Sequence, residues 1–132
     1  MAAVSRGRLA AVAGAIVGGG LVIRFCPVLP AWLRDAGGGA LYVCLLAVLF
    51  RLVWPVAELA PARAAWLALI VTCLVEFSQL IGAPVLNQIR GTLPGRLALG
   101  STFSWWDFSP YFLGAAAAAC IGRRWGPIRR DP

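Results

Sequence analysis

Four long stretches of the chain carry no charged side chain, and they restrict its possible folds more than any other feature. They are residues 9–23, 36–50, 64–75, which continues past the single charge of Glu76 to residue 81, and 108–122. Charged residues make up 13% of the chain and hydrophobic ones 61%, whereas soluble domains carry about 25% charge. A small soluble domain exposes much of its chain, and these charges are too few to cover such a surface. The sequence therefore predicts an integral membrane protein and argues against a soluble enzyme.

The charge-free stretches predict four membrane-crossing helices at about residues 7–25, 37–55, 63–81 and 106–123. One crossing takes about 20 residues, so four crossings leave only termini and connections from 132 residues. Each charge-free run is short for a membrane span. Flanking arginines lengthen the span, because their apolar stems lie in the hydrocarbon layer while their charged ends reach the headgroups. We expect an all-α bundle of four transmembrane helices that forms a single transmembrane domain over residues 1–132.

The tryptophans support these boundaries independently. All six lie at or just beyond a predicted span end, where indole rings prefer the headgroup level of the bilayer. They are Trp32, Trp54, Trp66, Trp105, Trp106 and Trp125.

The placement of arginine predicts the orientation. Eight of the twelve basic residues, all of them Arg, lie in the termini and the middle connection. The four on the other side are Arg24, Arg34, Arg90 and Arg96. Since the Arg-rich side of a membrane protein faces the cytoplasm, we expect both termini inside and the connections 24–36 and 82–105 outside.

The chain has no histidine and a net charge of +7. The missing histidine excludes His-based metal sites and His general bases. In so apolar a chain, arginines hold loops in the cytoplasm and contact anionic membrane lipids, so no nucleic-acid partner is expected. The cysteines lack the spacing of metal or disulfide frameworks, and we expect neither metal nor cofactor. They are Cys26, Cys44, Cys73 and Cys120.

Rows of small residues predict close packing of two helices. Gly14 and Gly18 form one row, and Gly114, Ala118 and Gly122 form another. Small side chains at this spacing let helix backbones approach closely in lipid. We expect both rows to pack inside the bundle; a seam between two copies of the chain is the alternative, although nothing indicates a homo-oligomer.

Two carboxylates stand apart from the other acids. Glu76 lies in the outer part of the third span, and Asp107 opens the fourth. The remaining acids, Asp35, Glu58 and Asp131, fall in connections or the tail and are expected to be solvated. A charged carboxylate inside the membrane is costly unless it is paired, protonated or facing water within the bundle. Glu76 is therefore the first candidate for a site.

Each of these two carboxylates has polar residues near it on the same predicted helix. Thr72, Glu76 and Gln79 are spaced to share one face, which is typical either of a polar pocket or of a hydrogen-bonded helix clamp. Asp107 shares a face with Tyr111 and with Gly114, seven residues on; its alternative role is to cap the helix.

The connection 82–105 is long for a turn and too apolar to float in water. We expect a short interfacial or re-entrant helix around residues 85–89. Arg90 is the first candidate to pair with Glu76 or Asp107, and Arg96 the second, because an arginine binds a buried carboxylate in a bidentate way.

Residues 76–114 contain E-x-x-Q, an arginine and D-x-x-x-Y-x-x-G. This pattern resembles that of VanZ-like membrane proteins, in which D-x-x-x-N-x-x-G takes the last place. With G-S-T-F-S-W-W-D at 100–107, the chain is still more similar to a family of small bacterial four-span membrane proteins of unknown function. The resemblance implies a four-span fold in the bacterial cell membrane. It picks out Glu76, Gln79, Arg90, Asp107, Tyr111 and Gly114.

We expect an outward-facing polar pocket of Glu76, Gln79, Arg90, Asp107 and Tyr111 that binds a cell-envelope component, such as a lipid headgroup or a glycan. Thr72, Arg96 and Gly114 would support it. One alternative is an intramembrane enzyme using two carboxylates as acid and base, although the chain lacks a nucleophile–base constellation. Another is an ion- or proton-coupled transporter or a subunit of one.

Overall fold

The computed structural model of the chain describes residues 4–53, 59–100 and 102–125. This part is all-α, as expected. Its elements, in chain order, are α1 (Arg6–Phe25), α2 (Ala31–Val53), α3 (Pro61–Ser78), α4 (Pro84–Gly91), α5 (Leu93–Leu99), a 3-10 turn (Trp105–Asp107) and α6 (Phe108–Trp125).

Local sequence signals set several helix starts. The Ser5 side chain accepts a hydrogen bond of 3.2 Å from the backbone N–H of Arg8 and caps α1. Thr92 caps α5 in the same way. Pro61 and Pro84 open α3 and α4, positions where the missing N–H of proline costs nothing.

The other three long helices pack around α2. This helix contacts α1, α3 and α6, and α3 also packs on α6. The core between α2, α3 and α6 consists of Val43, Ala47, Ala64, Ala68, Leu69, Tyr111 and Ala115. Because α1 packs mainly on α2, it forms a side wall of the bundle rather than part of its centre.

Gly114 brings α6 against α2. A Cβ atom at this position would collide with the backbone of Ala40. On the facing helix, a Cβ at Gly39 would lie 2.9 Å from the Tyr111 ring. The two glycines therefore permit the close crossing that places Tyr111 in the core, and the prediction of tight packing along α6 is confirmed at Gly114.

The corresponding prediction for α1 is wrong. Among the described residues, no heavy atom outside α1 itself and the chain neighbours would lie within 4 Å of a Cβ at Gly14 or Gly18. The reason is that α1 has one main neighbour, and these glycines lie away from its contact with α2.

Three helices are long and apolar enough to cross a membrane by length and composition: α1, α2 and α3. The chain is thus compatible with a membrane protein, as its composition predicts. α6 is not among the three, and its last turn carries Arg123 and Arg124. The fourth crossing stays a prediction.

Helix boundaries differ from the predicted spans where charge was used to locate them. α2 begins at Ala31 instead of residue 37, so Arg34 and Asp35 lie within its first turns. The prediction is wrong because a charged residue marks the edge of an apolar stretch, not the end of a helix. α3 ends at Ser78, three residues before the predicted span end. The connection 82–105 contains two short helices instead of the expected one.

Some predictions fall on residues that lie outside the described ranges. These are the boundary tryptophan Trp54, the solvated acids Glu58 and Asp131, and the tail arginines Arg129 and Arg130.

Replacing Gly114 by alanine tests the crossing of α2 and α6. We expect Gly114→Ala to lower the free energy of unfolding by about 1–3 kcal/mol, because the added methyl forces the two backbones apart. Gly18→Ala is the matched control and leaves stability unchanged or higher, since its methyl meets open space. Thermal unfolding in detergent, followed by circular dichroism, measures both. Equal losses in the two variants would contradict the packing described here.

Candidate functional site

A cavity of about 880 Å³ lies at the end of the bundle where α1 and α3 end and α2 and α6 begin. α5 and the segment before α6 line it as well. Its charged lining consists of three arginines and three carboxylates: Arg24, Arg34, Arg96, Asp35, Glu76 and Asp107. Opposite charges therefore converge in one place of a chain that has few of them.

Glu76 is one of the residues that line this cavity, and it is only 1% exposed. The Tyr111 hydroxyl donates a hydrogen bond of 2.7 Å to its Oε2, and the backbone N–H of Ser104 donates one of 2.9 Å to its Oε1. The Gln79 amide adds a longer bond of 3.5 Å to Oε2. Each oxygen thus has a donor, which offsets the cost of burying the carboxylate. The result joins α3, α6 and the segment between α5 and α6.

Gln79 fixes the end of α5. Its Nε2 donates to the backbone carbonyl of Leu99 at 2.9 Å. The next residue, Gly100, has a φ of +66°, and a Cβ there would lie 2.5 Å from the same Nε2. Both the left-handed backbone and the close approach of Gln79 favour glycine at this position. The spacing E-x-x-Q therefore places one side chain on the α6 side and the other on α5.

Aromatic packing holds the segment before α6 against α3. The Phe103 ring lies 4.9 Å from Trp105 and 6.1 Å from Phe77, measured between centroids. Phe108 lies 5.5 Å from Phe77. Such offset and edge-on pairs are favourable. They keep the Ser104 amide within reach of Glu76.

Asp107 ends the 3-10 turn outside α6 and lines the cavity. Burial raises the pKa of its carboxyl, and the charges of Glu76 and Asp35 raise it further. The fold therefore brings the two singled-out carboxylates, Glu76 and Asp107, to one cavity. There they repel each other.

Arg90 does not take the expected position. Its Nη2 donates a hydrogen bond of 3.0 Å to the Ser78 hydroxyl, and the side chain is 8% exposed. It is not part of the cavity lining, and no ion pair within 4 Å joins it to Glu76 or Asp107, all three being described residues. The expected pairing is wrong, because Arg90 ties α4 to the end of α3 and the donors to Glu76 are neutral groups instead.

The other expected residues are placed as follows. Arg96, the second candidate cation, lines the cavity from α5. Thr72 is buried on the same face as Glu76, but its hydroxyl donates to the Ala68 carbonyl at 2.8 Å. Gly114 contributes through the helix crossing and not through the cavity.

Sequence reasoning missed two contributors. The sequence predicts Arg34 in the connection 24–36, whereas the longer α2 carries it into the cavity wall. Ser104 contributes its backbone N–H, which has no sequence signature. Asp35 was expected to be solvated; it is about half exposed and also pairs with Arg24 at 3.1 Å.

The four cysteines are free, and no group of three His, Cys, Asp or Glu in the described ranges is placed to hold a metal ion.

Comparison with known families identifies one match. The profile described as "Protein of unknown function (DUF2809)" matches residues 28–115. The chain belongs to this family. The DUF2809 match covers α2 to α5 and the first part of α6, including every candidate site residue from Thr72 to Gly114. No solved structure is significantly similar to the chain. The likeness to VanZ-like proteins stays a prediction from the sequence.

A double-mutant cycle on Glu76→Gln and Tyr111→Phe tests the central hydrogen bond. Each single change is expected to cost about 1.5–3 kcal/mol of unfolding free energy, because a hydrogen bond to a buried carboxylate is lost. The double variant should lose less than the sum, since the two residues share one bond. Reversible unfolding in mixed micelles measures the coupling. Tyr42→Phe, at another tyrosine of the cavity lining, is the control. Strict additivity of the two single changes would contradict a hydrogen bond between Glu76 and Tyr111.

Proposed function

We propose that this DUF2809 protein crosses the bacterial cytoplasmic membrane four times and binds the headgroup of an envelope lipid in its cavity. α6 supplies the fourth crossing: its 18 residues rise about 27 Å, close to the thickness of the hydrocarbon layer. Arg123 and Arg124 then reach the headgroups at its end, as arginines near span ends do.

The distribution of arginine supports an outward-facing cavity. The cavity lies at the end of the bundle to which the connection 26–30 and helices α4 and α5 belong. Six of the ten arginines in the described ranges lie at the opposite end of the bundle, namely Arg6, Arg8, Arg51, Arg63, Arg123 and Arg124. The positive-inside rule therefore favours the cytoplasm for that end. Exposed Trp32 and Trp106 flank the cavity end at the level that indole rings prefer.

The observation that carries the proposal is a large cavity in an apolar bundle whose lining includes six charged side chains. Ionisable residues at membrane depth are costly and mark functional sites by default. A helix clamp alone accounts for Glu76, Gln79 and Tyr111, but it requires no space. The cavity of about 880 Å³ falls in the range of small-molecule sites, about 300–1,000 Å³.

The position of α1 favours a ligand with an apolar part. α1 packs mainly on α2, yet it lines the cavity together with α3. Val17 and Leu21 of α1 belong to this lining and are 44% and 40% exposed. An acyl chain can therefore lie along apolar side chains while its headgroup meets the charges. A lipid fits this arrangement better than a fully soluble solute.

The bonds of Glu76 favour binding over the two alternatives. A general acid or base, or a proton carrier, needs an oxygen free to exchange protons with a substrate or water. Both Glu76 oxygens already accept hydrogen bonds from protein donors. We therefore assign Glu76 a positioning role beneath the ligand.

Topology provides the first test. A variant that keeps Cys26 and lacks the other three cysteines should react with a membrane-impermeant maleimide in intact spheroplasts, because Cys26 lies in the outer connection. Reporters that are active only in the cytoplasm should be active when fused to either terminus. Protection of Cys26, or opposite reporter signals, would overturn the orientation.

Lipid binding provides the second test. Protein purified in mild detergent should retain membrane phospholipid in native mass spectrometry. Glu76→Gln should weaken retention about fivefold or more, equivalent to about 1 kcal/mol, because the clamp that shapes the cavity loosens. Glu58→Gln, at the other glutamate of the chain and in the predicted cytoplasmic connection, is the matched control. Unchanged retention in Glu76→Gln would refute the assignment of this cavity.

A further inference from the structure

The charges of the cavity are only partly neutralised by one another. Arg24 and Asp35 pair at its rim, and Glu76 is held by neutral donors. The side chains of Arg34, Arg96 and Asp107 make no hydrogen bond or ion pair within the described ranges. These three groups are therefore available to a ligand.

The two arginines come from different elements. Arg34 projects from the first turns of α2 and Arg96 from α5, and both line the cavity. The Nε of Arg34 is buried without an acceptor, a costly state for a strong donor. Guanidinium groups match the geometry of phosphate oxygens. A phosphate would supply acceptors to both side chains.

The carboxylates form a second, negative pole. Asp107 and Glu76 line the same cavity, together with Asp35. Burial raises the pKa of the Asp107 carboxyl, and the negative charges of Glu76 and Asp35 raise it further. Arg90, the cation expected there, lies against Ser78 instead. An ammonium group with N–H donors would reduce the repulsion and satisfy the unpaired Asp107.

We propose that the cavity binds a zwitterionic phospholipid headgroup, with its phosphate at Arg34 and Arg96 and a primary ammonium at Asp107 beside Glu76. This inference rests on the proposed lipid-binding function and names the chemistry of the ligand. Arg34 and Arg96 line the same cavity as Asp107 and Glu76, so the ligand that balances both poles carries one charge of each sign. A purely anionic headgroup leaves the carboxylates uncompensated, and a quaternary ammonium lacks an N–H to donate.

The test compares headgroups on the full chain in detergent micelles. Short-chain phosphatidylethanolamine should bind at least about tenfold more tightly than phosphatidylglycerol or phosphatidylcholine of equal chain length, measured by native mass spectrometry with titrated lipid. Arg34→Gln and Arg96→Gln should each weaken binding of all three lipids. Asp107→Asn should remove only the preference for phosphatidylethanolamine over phosphatidylglycerol. Arg8→Gln, at an exposed residue in the first turn of α1 at the opposite end, should change nothing.

The outcomes separate this inference from the function on which it rests. Equal binding of the three lipids, still lost in the arginine variants, would overturn the zwitterionic ligand and leave the lipid site in place. No retention of any lipid would overturn both. Competition by soluble glycerophosphoethanolamine as strong as by the lipid would overturn the lipid source while supporting the headgroup chemistry. Arg34→Lys guards against misfolding: partial recovery of binding supports a charge contact, whereas equal loss with a normal unfolding temperature contradicts it.

Discussion

The buried carboxylate of Glu76 is the interaction on which one end of this molecule depends. It accepts hydrogen bonds from Tyr111 on α6 and from the backbone of Ser104. A buried carboxylate without hydrogen-bond donors would be costly, so these donors stabilise the fold. Since they come from separate parts of the chain, satisfying one charge fixes α6 and the segment before it against α3.

A cavity lies beside the hydrogen bonds of Glu76. Gln79 and the glycine at position 100 hold the end of α5, while α1 packs mainly on α2. A cavity therefore opens between a rigid side, anchored by Glu76, and a side wall with few partners. Arg34, Arg96 and Asp107 project into it without partners in the described residues.

The prediction of an all-α chain with apolar helices of membrane-crossing length is confirmed for three of the described helices, because the hydropathy and length of a helix follow directly from its sequence. The grouping of Glu76, Gln79 and Tyr111 could also be predicted, because helical spacing places such residues on inward faces. The predicted pairing of Arg90 is wrong because charge complementarity indicates which groups can pair, but not which donor the fold places beside Glu76. Neutral donors satisfy Glu76, and one of them is the backbone N–H of Ser104, a group that every residue except proline carries.

The sequence by itself determined the apolar character of this chain, its helical class and the short list of charged groups that need a partner, because hydropathy and charge are local properties. The tertiary structure alone decided which partners they have. Gly114 packs closely while Gly14 and Gly18 do not, although all three sit in similar patterns, since a small residue matters only where another helix crosses it. Arg34 entered the cavity only because α2 continues past its charged residues, and helix ends depend on packing as much as on polarity.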